Sequence, residues 1–319
     1  MTKNRLLGIT YIFILLIAFT ALFSWLLYPR NNYTEDATDA LSGNTLLGEV
    51  PGTVDVLIVG DSQAYESYNP MEMWGRRGIT SYVSSTSAQP ICETVDFVKA
   101  GFKNQHPKVV LVEADTLYVD CSIGKYAFTR LKDYVPLLQY HSRWKLIGTK
   151  AGSLKKDFTN TDELKGYNLD PTVDPIWWDA SPYMSVNDVP YEISAAARLS
   201  MKDISRICAQ NNAKLIIVSI PNLSWSNSRH DAVQALAGEI GADYIDLNIP
   251  CEMEPIDWFS ECKDQGVHVN YFGAKKISSY LADYLADNYG IEDRRENPEY
   301  SQYALCYSKY LDLVRDFDK

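Results

Sequence analysis

The sequence predicts an α/β/α sandwich, in which a mainly parallel sheet lies between two layers of helices. Four short apolar runs are rich in β-branched side chains and do not alternate with polar residues, which indicates strands buried on both faces. Helical patterns lie between these runs, and strands that alternate with helices form βαβ units. The predicted strands cover 54–59, 109–112, 215–220 and 244–247.

Apolar residues at helical spacing predict the helices that cover this sheet. Segments 91–102 and 194–208 fit the pattern. Two further helices have one apolar face each, formed by Val233, Leu236, Ala237 and Ile240 in the first and by Ala274, Ile277, Leu281 and Leu285 in the second.

The chain has 319 residues and 46% hydrophobic content, enough for a sizeable core, and its net charge is −11. This charge excludes nucleic acid as a partner, because binding nucleic acid depends on neutralising phosphates.

Residues 6–28 contain no charged side chain. As a helix this segment is ~34 Å long, enough to span a bilayer. A cleaved signal peptide is the alternative, but no small-residue cleavage site is evident. Lys3 and Arg5 precede the segment, whereas Arg30 is soon followed by Glu35 and Asp36. The positive-inside rule therefore predicts a single-pass membrane protein with its main domain outside the cytoplasm.

The sequence divides into an N-terminal anchor, a main domain and a tail. Residues 119–190 are irregular and rich in Trp, Tyr, Pro and Asp, which indicates an ordered insertion that caps the site. The predicted parts are a cytoplasmic end (1–5), a transmembrane anchor (6–28), a stalk (29–50), the main domain (51–289) and a helical tail (290–319).

The cysteines and the known nucleotide motifs indicate neither a metal nor a cofactor. The six cysteines lack the spacing of a zinc site, and no phosphate-binding loop or dinucleotide fingerprint occurs. A disulfide between Cys251 and Cys262 and free buried thiols remain alternative interpretations.

The first predicted strand ends at Gly60-Asp61-Ser62. Ligands bind at the carboxyl ends of parallel strands, so Ser62 is a candidate nucleophile there. The alternative is structural, since Asp61 or Ser62 can cap the helix that follows.

A nucleophilic serine needs a base, and the chain has four histidines. His268 lies on a loop before the last amphipathic helix, four residues after Asp264, and an Asp on the same loop can fix the imidazole tautomer. His268 is therefore the preferred base. His106 is predicted at the surface, His141 in the insertion and His230 at the start of a helix.

The G-D-S motif, together with D-x-x-x-H-V-N-x-x-G-A-x-K near residue 270, resembles the SGNH (GDSL-type) hydrolase superfamily. It is most similar to the membrane-anchored, extracytoplasmic branch related to teichoic-acid D-alanylation proteins and polysaccharide O-acetyltransferases. The resemblance covers residues 52–289 and implies a flavodoxin-like sheet with the catalytic residues Ser62, His268 and Asp264. The usual spacing is D-x-x-H, so Asp257 and Glu261 are alternative orienting acids.

The resemblance is weaker at the oxyanion hole. The superfamily uses a backbone amide after the second strand and the side chain of a G-x-N-D asparagine. This chain has Asp115-Thr116 where the asparagine and aspartate are expected. The predicted oxyanion donors are the backbone of Ser62 and that of either Ala88 or Gln89, with the Gln89 side chain as the replacement for the asparagine.

Three functions follow from these observations. The first is an esterase or acyltransferase that acts on O-acylated, for example acetylated, cell-envelope polysaccharide. The second is D-alanyl transfer to teichoic acid together with a membrane-bound O-acyltransferase, which the charge of −11 disfavours. The third is a non-catalytic binding module of a wall-assembly complex.

Overall fold

The computed structural model describes residues 3–33, 45–186 and 189–317. Its centre is a sheet of five parallel strands in the order β2-β1-β3-β4-β5. This is the flavodoxin-like order. The strands are β1 (Val56–Gly60), β2 (Ser81–Ser85), β3 (Val109–Glu113), β4 (Lys214–Ser219) and β5 (Asp243–Asp246). The predicted parallel sheet is confirmed.

Helices cover both faces of the sheet, as predicted. All α-helices of the described residues, including those that do not touch the sheet, are in chain order α1 (Lys3–Leu27), α2 (Ser62–Ser67), α3 (Pro70–Arg77), α4 (Ile91–Gly101), α5 (Ile123–Lys132), α6 (Pro136–Tyr140), α7 (Tyr183–Val186), α8 (Ala195–Gln210), α9 (Asn227–Ile240), α10 (Tyr271–Tyr289) and α11 (Ser301–Val314). One hydrophobic core lies between the sheet and α4, α8 and α9. A second core lies between the opposite face and α2, α3 and α10.

Strand β2 is absent from the sequence-based prediction. Its sequence SYVSS has too few apolar residues to form a hydrophobic run. All five residues are nevertheless buried, because other parts of the chain cover this edge of the sheet. The Val83 N–H donates to the Lys165 carbonyl, and the Tyr303 hydroxyl of α11 donates to the Ser81 carbonyl.

Helix α1 is long and apolar enough to span a membrane, with a mean hydropathy of 2.5 over its apolar window. Beyond it, the described parts of the predicted stalk bind to the main domain instead of standing free. Asn32 and Asn160 are joined by hydrogen bonds, and Glu49 forms a buried ion pair with Lys165. The rest of the predicted stalk, residues 34–44 with Glu35 and Asp36, lies outside the described residues.

The insertion 119–190 has two parts, and only one approaches the predicted site. In the first part, α5 packs against α4 and α8, and α6 lies against the end of α1, where the Leu137 N–H donates to the Ser24 hydroxyl. The second part runs beside the loop of His268, and the Asp174 N–H donates to the Cys262 carbonyl. The prediction that the whole insertion caps the site is therefore wrong for the first part.

Candidate active site

Ser62 lies directly after the carboxyl end of β1, at the first residue of α2. Asp61 is the helix cap, since its carboxylate accepts a hydrogen bond of 3.0 Å from the Gln63 N–H. The Ser62 hydroxyl thus has no capping role in this turn. Gly60 is required by space, because a Cβ there would lie 2.7 Å from the Cβ of Glu113.

A short antiparallel hairpin provides the histidine and the aspartate. Its strands are β6 (Cys262–Lys263) and β7 (His268–Val269). Between them Asp264, Gln265 and Gly266 have φ angles of 51°, 55° and 86°. These left-handed residues form a compact turn that brings Asp264 back to His268. The turn explains how the unusual four-residue spacing still produces an Asp–His pair.

The structure brings Ser62, His268 and Asp264 together in the geometry of a catalytic triad. The His268 Nε2 is 3.0 Å from the Ser62 Oγ, and the His268 Nδ1 is 2.9 Å from the Asp264 Oδ2. Asp264 fixes the tautomer in which Nδ1 carries the proton, so Nε2 can accept the serine proton. The Asp264 side chain is 59% exposed, so its carboxylate is largely solvated.

The alternative acids and histidines are engaged elsewhere. Asp257 accepts hydrogen bonds from Ser260 and from the Phe259 N–H, and Glu261 pairs with Lys276. His141 contacts the Leu138 carbonyl of the preceding helix α6, and His230 pairs with Asp246. His106 lies in the turn before β3.

Two polar contacts hold the hairpin against α2, and neither was predicted from the sequence. The Gln63 side chain donates a 2.8 Å hydrogen bond to the Val267 carbonyl, next to His268. Lys263, next to Asp264, bonds with Glu66 of α2 and with Asp170, both at 2.8 Å. These contacts fix the distance between the serine and the histidine. Gln63 adjoins the G-D-S motif and Lys263 adjoins the D-x-x-x-H motif. Their partners, Val267 and Glu66, are about two hundred positions away in the sequence.

Three carboxyl groups lie beside Ser62 at the carboxyl ends of β1 and β3. Burial, reinforced by the neighbouring Asp115, raises the pKa of Asp61 to about 7. Burial also raises the pKa of Glu113 and of Asp115, although Arg229 and Asn222 partly offset the shift of Asp115. Carboxyl groups so close to one another and out of water favour the neutral form.

The oxyanion donors are the least complete part of the site. Gln89 is 1% exposed, its amide nitrogen donates to Thr94, and its oxygen accepts from Thr86. The predicted use of this side chain in place of the asparagine is therefore wrong. Ala88 lies in the exposed turn after β2.

Asn222, at the end of β4, donates to Asp115 at 2.5 Å and is likewise engaged. The backbone N–H of Ser62 belongs to the first turn of α2, where no helical carbonyl is available to it.

All six cysteines are free, so no disulfide joins Cys251 and Cys262, and the interpretation as free buried thiols holds for every cysteine except Cys251. Cys251 is exposed, whereas Cys262 is buried and its thiol donates to the Trp258 carbonyl.

Exposed aromatic side chains lie next to the hairpin. Trp177 is 82% exposed and Phe259 57% exposed, and their rings are 6.3 Å apart. Trp178 is 56% exposed. The segment is fixed to the hairpin by Ile176, whose N–H donates to the Trp258 carbonyl and whose side chain adjoins Gly266. The aromatic surface of Trp177, Trp178 and Phe259 therefore borders the turn that carries Asp264.

Several solved structures are similar to this chain, with low TM-scores. TesA is 11% identical, with 73% of this chain and 98% of that chain covered and a TM-score of 0.39. The psychrotrophic esterase EstA from Pseudoalteromonas is 12% identical, with coverages of 74% and 96% and a TM-score of 0.34. A GDSL-like lipase from Bacteroides thetaiotaomicron is 11% identical, with coverages of 73% and 87% and a TM-score of 0.32. Scores this low decide nothing about function.

No protein-family model and no curated protein matches the chain.

Proposed function

We propose that this chain is a serine hydrolase or acyltransferase of the SGNH type. The observation that carries the proposal is the 3.0 Å contact between the Ser62 Oγ and the His268 Nε2, with Asp264 on the other ring nitrogen. A nucleophile, a base and an orienting acid in hydrogen-bond contact are the arrangement that acyl transfer through a serine requires.

The reaction proceeds through an acyl-serine. The Ser62 Oγ attacks the ester carbon while its proton moves to the His268 Nε2, and Asp264 stabilises the imidazolium. His268 then gives this proton to the departing alcohol oxygen as the carbon–oxygen bond breaks. Water or a sugar hydroxyl next attacks the acyl-serine and loses its proton to His268, which returns this proton to the Ser62 Oγ as the acyl–oxygen bond breaks. Hydrolysis and transfer differ only in this second acceptor.

The oxyanion in this scheme is stabilised by backbone N–H groups of Ser62 and Ala88. In the part of the chain that the structure describes, no asparagine side chain takes the G-x-N-D role, and the corresponding position is Asp115. Loss of one oxyanion donor typically lowers the rate by 10²- to 10³-fold, so we expect slow turnover of simple esters.

The proposed substrate is an O-acylated polysaccharide of the cell envelope. Exposed aromatic rings stack on the apolar faces of sugars, and Trp177, Trp178 and Phe259 provide such rings beside the hairpin. Helix α1, as an uncleaved anchor with its N-terminus in the cytoplasm, would hold the domain at the outer membrane face. A membrane-bound O-acyltransferase is a candidate partner that would supply or receive the acyl group.

The two alternatives have less support. Teichoic acid is a polyphosphate, and a chain with a net charge of −11 would repel it. A non-catalytic module does not require the serine and histidine to be in contact.

An active-site probe tests the catalytic proposal. A fluorophosphonate should label the purified full-length chain, and peptide mapping should find the label on Ser62. The Ser62→Ala variant should not be labelled, whereas Ser224→Ala, which removes a serine outside the triad, should be labelled normally. Labelling of other residues in place of Ser62 would refute the proposal.

The substrate proposal needs a separate test. Replacing Trp177 and Trp178 by Ala should lower acetate release from an O-acetylated polysaccharide by at least tenfold, with little change for p-nitrophenyl acetate, because stacking contributes ~1 kcal/mol or more per ring. Trp144→Ala is the matched control, since Trp144 is 62% exposed in the part of the insertion that lies against α1. An equal loss for both substrates would contradict the proposed sugar contact.

A further inference from the structure

A cavity of about 620 Å³ lies between the outer end of α1 and the first part of the insertion. Its lining is mostly apolar and also contains two cationic side chains. Among the lining residues are Trp25, Tyr28, Arg30, Leu154, Lys156 and Phe158.

With α1 as the membrane anchor proposed above, this cavity would lie at the surface of the bilayer. The uncharged segment ends at Tyr28, and the cavity begins at the last turn of the helix. Trp25 is 58% exposed and Tyr28 44% exposed. Tryptophan and tyrosine at the end of an apolar helix are typical of the headgroup region.

The two cations are available to a ligand. The guanidinium of Arg30 stacks 4.5 Å from the ring centre of Trp25 and donates one hydrogen bond to the Trp25 carbonyl. Within the described ranges neither Arg30 nor Lys156 forms an ion pair. The nearby carboxylate of Asp157 accepts hydrogen bonds from Tyr33 and Thr159 instead.

We propose that this cavity binds one anionic phospholipid of the membrane that holds α1. The phosphate lies between Arg30 and Lys156, and part of an acyl chain lies against Leu154, Phe158 and Trp25. Basic residues at a membrane surface attract anionic headgroups, and an apolar wall beside them suits the acyl chain and not a free phosphate ion. This site does not depend on the chemistry at Ser62.

Photolabelling in a bilayer tests the proposal. The full-length chain is placed in nanodiscs of phosphatidylcholine with a minor fraction of phosphatidylglycerol, and either lipid carries a diazirine on its acyl chain. Labelled phosphatidylglycerol should modify peptides of segments 21–30 and 150–160 preferentially. The double variant Arg30→Gln/Lys156→Gln should lower this labelling about tenfold or more.

Two further variants make the result decisive. The control Lys155→Gln/Lys202→Gln removes the same charge outside the cavity and should label as the unmodified chain does. Leu154→Trp fills the cavity from an exposed position, keeps both cations and should also reduce labelling. Equal labelling by the two lipids, or full labelling of Arg30→Gln/Lys156→Gln, would overturn the proposal.

Discussion

The described residues contain two His–Asp pairs, one beside Ser62 and one at the end of β5. In both, the Nδ1 of the histidine contacts a carboxylate, at 2.9 Å in His268–Asp264 and at 2.7 Å in His230–Asp246. The pairs differ in what surrounds them. The His268 Nε2 contacts the Ser62 hydroxyl. Within the described residues, the His230 ring is hydrogen-bonded to Asp246 and not to a serine.

The carboxylates differ as well. The Asp264 side chain is 59% exposed, whereas the Asp246 side chain is 1% exposed and accepts further hydrogen bonds. Its other donors are the Trp225 indole, the Tyr244 hydroxyl, and the backbone and side-chain N–H groups of Asn248. A buried carboxylate with this many donors stabilises the fold. Ser219 lies in the same group, but it is fully buried and contacts the Tyr244 hydroxyl instead of the histidine. Triad residue types alone therefore do not identify an active site.

The largest expected difference between the pairs is in turnover. His268→Ala should lower ester turnover by up to ~10⁶-fold, because it removes the base of the triad. His230→Ala should leave turnover within a few-fold and lower the melting temperature. Steady-state kinetics and thermal melts of both variants measure this contrast. A large loss of turnover in His230→Ala alone would reverse the assignment of the two pairs.

The acids give the second contrast. Asp264→Asn should lower kcat by up to ~10⁴-fold, because an amide can hold the wrong tautomer of His268. Asp246→Asn should instead destabilise the fold by ~1–3 kcal/mol, because it places an amide N–H₂ among groups that need an acceptor. Denaturant unfolding and kcat are measured on both. The interpretation is wrong if Asp264→Asn keeps full activity while its fold is intact.

A third contrast compares two buried glutamines. Gln63→Leu removes the contact between α2 and the hairpin and should lower kcat ~10- to 100-fold with little change in KM, because a small displacement of His268 from Ser62 is costly. Gln89→Leu removes hydrogen bonds to Thr86 and Thr94 and should affect stability more than kcat. If Gln89→Leu lost as much kcat as Gln63→Leu, Gln89 would have a role in the oxyanion hole after all.

The sequence was sufficient for the parallel sheet, its flanking helices and the chain positions that meet in the triad. Continuous apolar runs reveal buried strands directly, and the G-D-S and D-x-x-x-H motifs mark their own residues. Strand β2 could not be predicted, because it is buried by residues distant in sequence, such as Lys165, which contacts Val83, and Tyr303, which contacts Ser81.

The contacts of Gln63 and Lys263 could not be predicted for the same reason, since each depends on a partner distant in sequence. It could likewise not be predicted that one part of the insertion packs near α1 and the other beside the hairpin, because this depends on tertiary contacts.

The smallest expected effect concerns Asp61, whose pKa is raised to about 7 mainly by burial, from an ordinary value of 3.8. The folded protein therefore binds this proton more tightly than the unfolded chain does. The resulting stability is fully present below about pH 4 and is lost as the pH rises through about 7. Asp61→Asn keeps an oxygen that can accept from the Gln63 N–H and remains neutral, so the variant should lose less stability than the unmodified protein between pH 4 and pH 8.

Melting temperatures of both proteins across this range measure the Asp61 effect. Glu113 and Asp115 also have raised pKa values, so they make the stability of both proteins fall as the pH rises. Only the difference between the two melting curves therefore reports on Asp61. The ionised Asp61 also lies beside the oxyanion that forms at Ser62, so the ester turnover of Asp61→Asn relative to the unmodified protein should rise above pH 7. Parallel melting curves would mean that Asp61 is already ionised at pH 4 and that burial does not control its charge. The ionisation of the buried Asp61 would then differ less from that of the solvated Asp264 than the burial of Asp61 implies.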